Sequence, residues 1–248
     1  LKTSCRHLRI VYFVAPMVEA TPHALGVPLS GLVKAVAHVK DFLVPLGVDE
    51  QSSAYLPIDF ALIFRKKAEP ELLIDALEQA LLHFPPCAGR FCEQELSTSQ
   101  LRTPITTTQA NVNQKHVCIV CNNAGVSVDS LDYTGPAPSC LGPLSDVYFP
   151  FASEAEPTFH LGGPLLHIKL SNFRNGQIIA ISFARGLTDA TGMNMFLRTW
   201  ALLHRSEDPG RPPSLDRWEL DDSFRCVRSD KVKLEFSLLN RHRSDIPR

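Results

Sequence analysis

Residues 178–203, IIAISFARGLTDATGMNMFLRTWALL, carry the strongest secondary-structure signals of the chain. Ile178 to Phe183 is an apolar run of strand length, Arg185-Gly186-Leu187-Thr188-Asp189-Ala190 is a tight polar turn, and a helix follows from about Thr191 to His204. Met193, Phe196, Leu197, Trp200 and Ala201 recur at helical spacing, so one face of that helix is apolar and must lie on a sheet. Such a turn, at the end of a strand and the start of a helix, is a common location for chemistry. Its first residue is an arginine, which can hold a charge there but cannot take up a proton.

Working outward, Pro164 to Phe173 is a second apolar run, separated from Ile178 by Arg174-Asn175-Gly176-Gln177. Asn-Gly is the strongest two-residue hairpin signal, so a turn centred on Asn175-Gly176 is expected. That register sets Leu166 opposite Arg185 and His167 opposite Ala184, on the other sheet face. His160 precedes the hairpin and reaches the turn only through a bend that the sequence does not reveal. Upstream, Ile58 to Arg65 reads as a strand and Glu69 to Phe84 as a helix, with Pro70 in the first turn and an apolar stripe through Leu72, Leu73, Ala76, Leu77, Ala80 and Leu81. Pro85-Pro86 stops it, and Gly89 is available for a backbone angle other residues avoid.

The remaining segments read as follows. Leu8 to Val18 is a strand, Thr21 to Val27 a loop, and Leu32 to Val44 a helical segment. Leu96 to Gln114 is a polar loop, Val117–Val120 and Gly125–Val128 form a hairpin across Cys121-Asn122-Asn123-Ala124, and Asp132 to Pro143 is a surface connection. Ser206 to Ser214 is a linker, and Trp218 to Arg248 is too poor in apolar residues for an independent core. The expected division is an N-terminal domain over residues 1–205 and a crossover segment over residues 206–248. Strands and helices in this order imply an α/β (α+β) fold, a mixed sheet covered by helices.

The 248 residues are 44% hydrophobic and 21% charged, an ordinary globular balance. A net charge of -1 leaves no electrostatic footprint for nucleic acid or an anionic membrane, so neither is an expected partner. No apolar stretch is long enough to span a bilayer, and seven cysteines without a signal peptide imply reduced thiols and a cytoplasmic setting. Cys118-x-x-Cys121 has knuckle spacing, but three residues along a strand put the thiols on opposite faces, so buried thiols and no metal are expected. The chain begins at Leu1, the expectation for a processed chain or a fragment.

Several of these pieces, taken in order, resemble the BAHD acyltransferase family: Leu56-Pro57-Ile58-Asp59, His83-Phe84-Pro85-Pro86-Cys87-Ala88-Gly89-Arg90-Phe91, Cys121 to Val126, Pro164-Leu165-Leu166, and Ser182 to Ala190. Gly192-Met193, Phe196 to Ala201 and Pro212 to Arg217 continue the resemblance to the family's N-terminal half. The resemblance implies a chloramphenicol-acetyltransferase-like domain, with acyl-CoA as co-substrate, no permanently bound cofactor, and a small alcohol or amine acceptor. In that family the histidine of a His-x-x-x-Asp-Gly motif takes the acceptor's proton as it attacks the thioester carbonyl.

Here Arg185 stands at the histidine position and Ala190 at the glycine position, and Asp189 alone matches. A guanidinium stays protonated at neutral pH and offers no lone pair to a proton. It can polarise a carbonyl or hold an oxyanion, given an already activated acceptor. Asp189 has a structural role in the family, paired with arginine; four residues away, Arg185 can be that partner, worth about a few tenths of a kcal/mol if exposed. The family's Asp-Phe-Gly-Trp-Gly motif and second domain are missing, so the expected chain is half of an acyltransferase, with an uncovered apolar face that favours self-association. The rival expectations are a non-catalytic pseudoenzyme or binding scaffold, and a carrier-protein-dependent condensation domain, whose paired histidines are lacking.

Overall fold

The computed structural model describes residues 24–37, 40–95, 115–138 and 159–214. The chain runs through β1 (Ala24–Val33), β2 (Phe42–Pro45), α1 (Val48–Gln51), β3 (Pro57–Phe64), α2 (Pro70–His83), β4 (Arg90–Glu95), β5 (Lys115–Cys121), β6 (Val126–Tyr133), β7 (Leu166–Phe173), β8 (Gly176–Ala184) and α3 (Ala190–His204). Five strands form a mixed sheet in the order β1-β6-β7-β8-β3, in which β6 and β7 are parallel and the other neighbours antiparallel. Strands β2, β5 and β4 form a separate antiparallel sheet.

Alternation along the strands sorts side chains between two faces of the large sheet. Leu166, Ile168 and Leu170 of β7 and Ile179, Ile181 and Phe183 of β8 join one buried cluster with Leu73, Leu77 and Leu81 of α2 and Met193, Phe196 and Trp200 of α3. The Trp200 indole N–H donates to the Leu73 carbonyl at 2.8 Å, tying the two helices together. Phe91 and Ile119 of the small sheet enter the same cluster. All nine residues of β8 are buried, as expected for a central strand.

The helices expected over 69–84 and 191–204 form, with Pro70 in the first turn of α2 and Asp189 as the cap of α3. Leu72, however, is 55% exposed and lies off the packed stripe of α2. Three local readings are corrected. Residues 24–27, expected in a loop, belong to β1, and the segment from Leu32 to Val44 expected as helix is instead the end of β1, a connection and β2. Pairing with β6 overrides the breaker residues, and Pro28, which has no amide hydrogen, falls where the β1 register shifts between Leu25 and Leu29. The Asn123 side chain grips both backbone groups of Ala35, accepting from its N–H at 2.8 Å and donating to its carbonyl at 3.2 Å, and so fixes the connection.

The third correction concerns β5 and β6, which are strands but form no hairpin, because they belong to different sheets. Asn123 at φ 50° and Gly125 at φ 106° turn the chain across the gap. Gly89 has an ordinary extended backbone; a side chain is barred there because a Cβ would lie 2.6 Å from the Val120 carbonyl oxygen. Asp132 and Tyr133, expected in a surface connection, end β6. The expected Leu8–Val18 strand, the 96–114 loop, residues 139–143 of the connection and the segment beyond 214 lie outside the described residues.

Candidate active site

Between β8 and α3 the chain turns at Arg185, Gly186 and Leu187, held by backbone hydrogen bonds. The Arg185 N–H donates to the Leu56 carbonyl at 2.9 Å, Gly186 to Ala54 at 3.0 Å, and Leu187 to Ala184 at 2.8 Å. Gly186 is required by close approach: a Cβ would meet Ala54 Cβ at 2.9 Å and Leu46 Cδ1 at 3.0 Å. Asp189 Oδ1 accepts from the Gly192 N–H at 2.7 Å, satisfying one of the orphan donors of the α3 N-terminus. The Thr188 hydroxyl occupies the space that a side chain at Gly192 would need.

Arg185 is exposed, and among the described residues its side chain makes no ion pair with Asp189. The anticipated Arg185–Asp189 pair is thus replaced by a helix cap, because the carboxylate at the N-cap position meets the unsatisfied amides first. What the turn presents is an arginine on a rigid backbone, at the open end of a buried strand.

The histidines lie differently from the expected register. Phe173 pairs with Gly176, so the turn is Arg174-Asn175, and Leu166 faces Phe183 while His167 faces Ser182. Asn175 Oδ1 accepts from the Ala137 N–H at 2.7 Å, and neither turn residue takes a positive φ. This use of the asparagine side chain shifts the turn by one residue and the facing partners by two. Parity is kept, so His167 stays on the face of Ser182 and Ala184, opposite to that of Phe183.

His167 stands in a cross-strand row with Ser182 and Asp59. The Ser182 hydroxyl donates to the buried Asp59 carboxylate at 2.5 Å. Burial pushes the His167 imidazole down to about 4, against the opposing pull of Asp129 and the Pro164 carbonyl, and Arg90 and His160 depress it further. His167 is therefore neutral at pH 7. His160 is brought near by a bend: the Phe159 N–H donates to the Tyr55 carbonyl at 3.0 Å, and the His160 ring lies over Gly163, where a Cβ would be 2.7 Å from its Nε2. Segment 54–56 thus anchors both the Arg185 turn and the approach to His160. Sequence reasoning missed the Asp59–Ser182 contact, which depends on pairing between strands more than a hundred residues apart.

No group of three or more potential metal ligands occurs among the described residues. No helix among them is long and apolar enough to cross a membrane.

The Transferase family model matches residues 51–238, a span that contains the whole of this turn and the 54–56 segment that anchors it. The chain belongs to that family, the BAHD acyltransferases. Among solved structures, vinorine synthase is similar at a TM-score of 0.55 and 18% identity, covering 79% of this chain and 46% of its own. TRI101 of F. sporotrichioides, in complex with coenzyme A and T-2, is similar at a TM-score of 0.45 and 17% identity over 67% of this chain and 40% of its own. The epimerization domain from the third module of tyrocidine synthetase B covers 87% of this chain and 47% of its own, at 12% identity and a TM-score of 0.46. No curated protein sequence matches the chain. This BAHD chain has the chloramphenicol-acetyltransferase-like fold and spans about half the length of vinorine synthase.

Proposed function

We propose that this chain is an acyltransferase-family half-site that takes acyl-CoA as co-substrate and a hydroxyl or amine as acceptor, with its transfer step weakened by the loss of the motif base. The observation that carries this reading is Arg185 on the Leu56 carbonyl, exposed at the end of β8, in a family member whose motif position calls for a histidine. An attacking hydroxyl must give up its proton as the tetrahedral intermediate forms. A guanidinium cannot accept that proton, though it can hold the oxyanion by charge-assisted hydrogen bonds. Loss of a general base costs about 10²- to 10⁴-fold in rate. Asp189 shapes the turn through its cap and touches no reacting atom on this reading.

The same arginine favours a second reading, a non-catalytic scaffold that retains the N-terminal domain. A cytoplasmic setting is part of this reading. Leu62, Ile63 and Phe64, each at least 37% exposed at the end of β3, supply an apolar surface for self-association. Calorimetric titration with CoA, together with turnover assays across several acyl-CoAs and alcohol or amine acceptors, separates the two readings. Binding with slow turnover that falls further in Arg185→Ala supports the weakened transferase. Neither binding nor turnover supports the scaffold.

A further inference from the structure

Four cysteines fall into two close pairs. Cys92 of β4 and Cys118 of β5 face each other directly in the small sheet. Residues in register on adjacent antiparallel strands have Cα atoms about 4.5–5.5 Å apart and side chains on the same face. That separation lies within the range of about 4.4–6.8 Å spanned by disulfides. The second pair is Cys87, just before β4, and Cys121 at the end of β5, near enough that each thiolate would feel the other.

The two pairs differ in access. Cys87 and Cys121 are 4% and 3% exposed, and burial, with Cys121 close by, pushes the Cys87 thiol up to about 12. Cys92 is half-buried, and the upward push of burial on its thiol is partly offset by a hydrogen bond from the Val120 backbone. Cys118 is fully buried behind it; its thiol donates to the His116 carbonyl at 3.7 Å and is pushed up to about 11 by burial and then by Cys92. Cys92 is thus the more exposed member of the pair.

We propose that Cys92 and Cys118 form a cross-strand dithiol that closes reversibly to a disulfide by exchange with glutathione disulfide. The Cys92 thiolate attacks one glutathione sulfur, forming a mixed disulfide and releasing one glutathione thiolate. The Cys118 thiolate then attacks the Cys92 sulfur, forming the cross-strand bond and releasing the second glutathione. The two protein thiol protons end on the two glutathiones, two thiols are oxidised, and one disulfide is reduced. Because the thiolate is the attacking species, the rate rises with pH across the neutral range. The bond would lie next to Phe91, whose carbonyl accepts from the Gly162 N–H at 3.1 Å.

The test incubates the folded full chain with glutathione disulfide, quenches in acid, alkylates the remaining thiols after denaturation, and maps linked peptides by mass spectrometry. The expected result is a Cys92–Cys118 link that forms faster at higher pH, reverses with reduced glutathione, and leaves Cys87 and Cys121 alkylated. Cys92→Ser should abolish the link, and Cys118→Ala should halt the reaction at a glutathione adduct on Cys92. Should the buried Cys118 variant fail to fold, the wild-type map and Cys92→Ser decide alone. A folded wild-type chain that keeps Cys92 as the free thiol or a lasting glutathione adduct, or that links it to another cysteine, overturns the proposal.

Discussion

The Arg185 N–H donates to the Leu56 carbonyl at 2.9 Å, so the first residue of the turn is fixed by backbone from the segment leading into β3. Gly186 repeats the arrangement on Ala54, and Asp189 caps the helix that follows. The architecture of the turn is therefore independent of what side chain stands at 185. Exchanging the side chain at 185 should therefore leave these backbone bonds in place.

Gly186→Ala should destabilise the chain by about 1–3 kcal/mol, because its Cβ would lie 2.9–3.0 Å from Ala54 and Leu46, both fully buried and unable to yield cheaply. Urea unfolding checks this. An unchanged midpoint would mean that the 54–56 segment moves freely relative to the turn.

Asp189→Ala should cost about 1 kcal/mol through loss of the cap to the Gly192 amide, and Asp189→Ser should recover most of it. A thermal melt of both variants makes the comparison. Equal losses in the two would point to a role for the carboxylate charge beyond the cap.

Stability should depend on pH through His167. Its folded value of about 4 lies below the value of about 6.5 expected for the unfolded chain, so between those limits the unfolded chain binds more protons. The stabilisation is complete above pH 6.5 and is lost as pH falls toward 4, by on the order of 3 kcal/mol at most. His167→Gln should flatten that window in unfolding curves taken from pH 7.5 to 4.5. An equally steep wild-type and variant slope would assign the dependence to other groups.

Much of the fold was legible because its signals are local. The Met193-Phe196-Trp200 stripe and the Glu69–Phe84 periodicity foretold α3 and α2, and the apolar runs around Asn175-Gly176 foretold β7 and β8. The hairpin register was misjudged because Asn175 spends its side chain on Ala137, a contact from outside the hairpin. Strand β1 was hidden by Pro28 and a register shift, and β5 and β6 looked like a hairpin because no local pattern reveals that two neighbouring strands join different sheets. At the candidate site, Arg185 and Asp189 stand out by motif order, while the Leu56 anchor, the Asp59–Ser182 bond and the facing of Cys92 and Cys118 are products of long-range pairing.

The initial rate of acyl transfer by Arg185→His, compared with the parent chain at pH 7 and the same acyl-CoA and acceptor concentrations, tests the central claim most directly. If the turn is intact and only the base is lost, the histidine variant should be about 10²- to 10⁴-fold faster. A parent as fast as the histidine variant, with Arg185→Ala slower than both, would contradict it and make the arginine itself a working catalytic group.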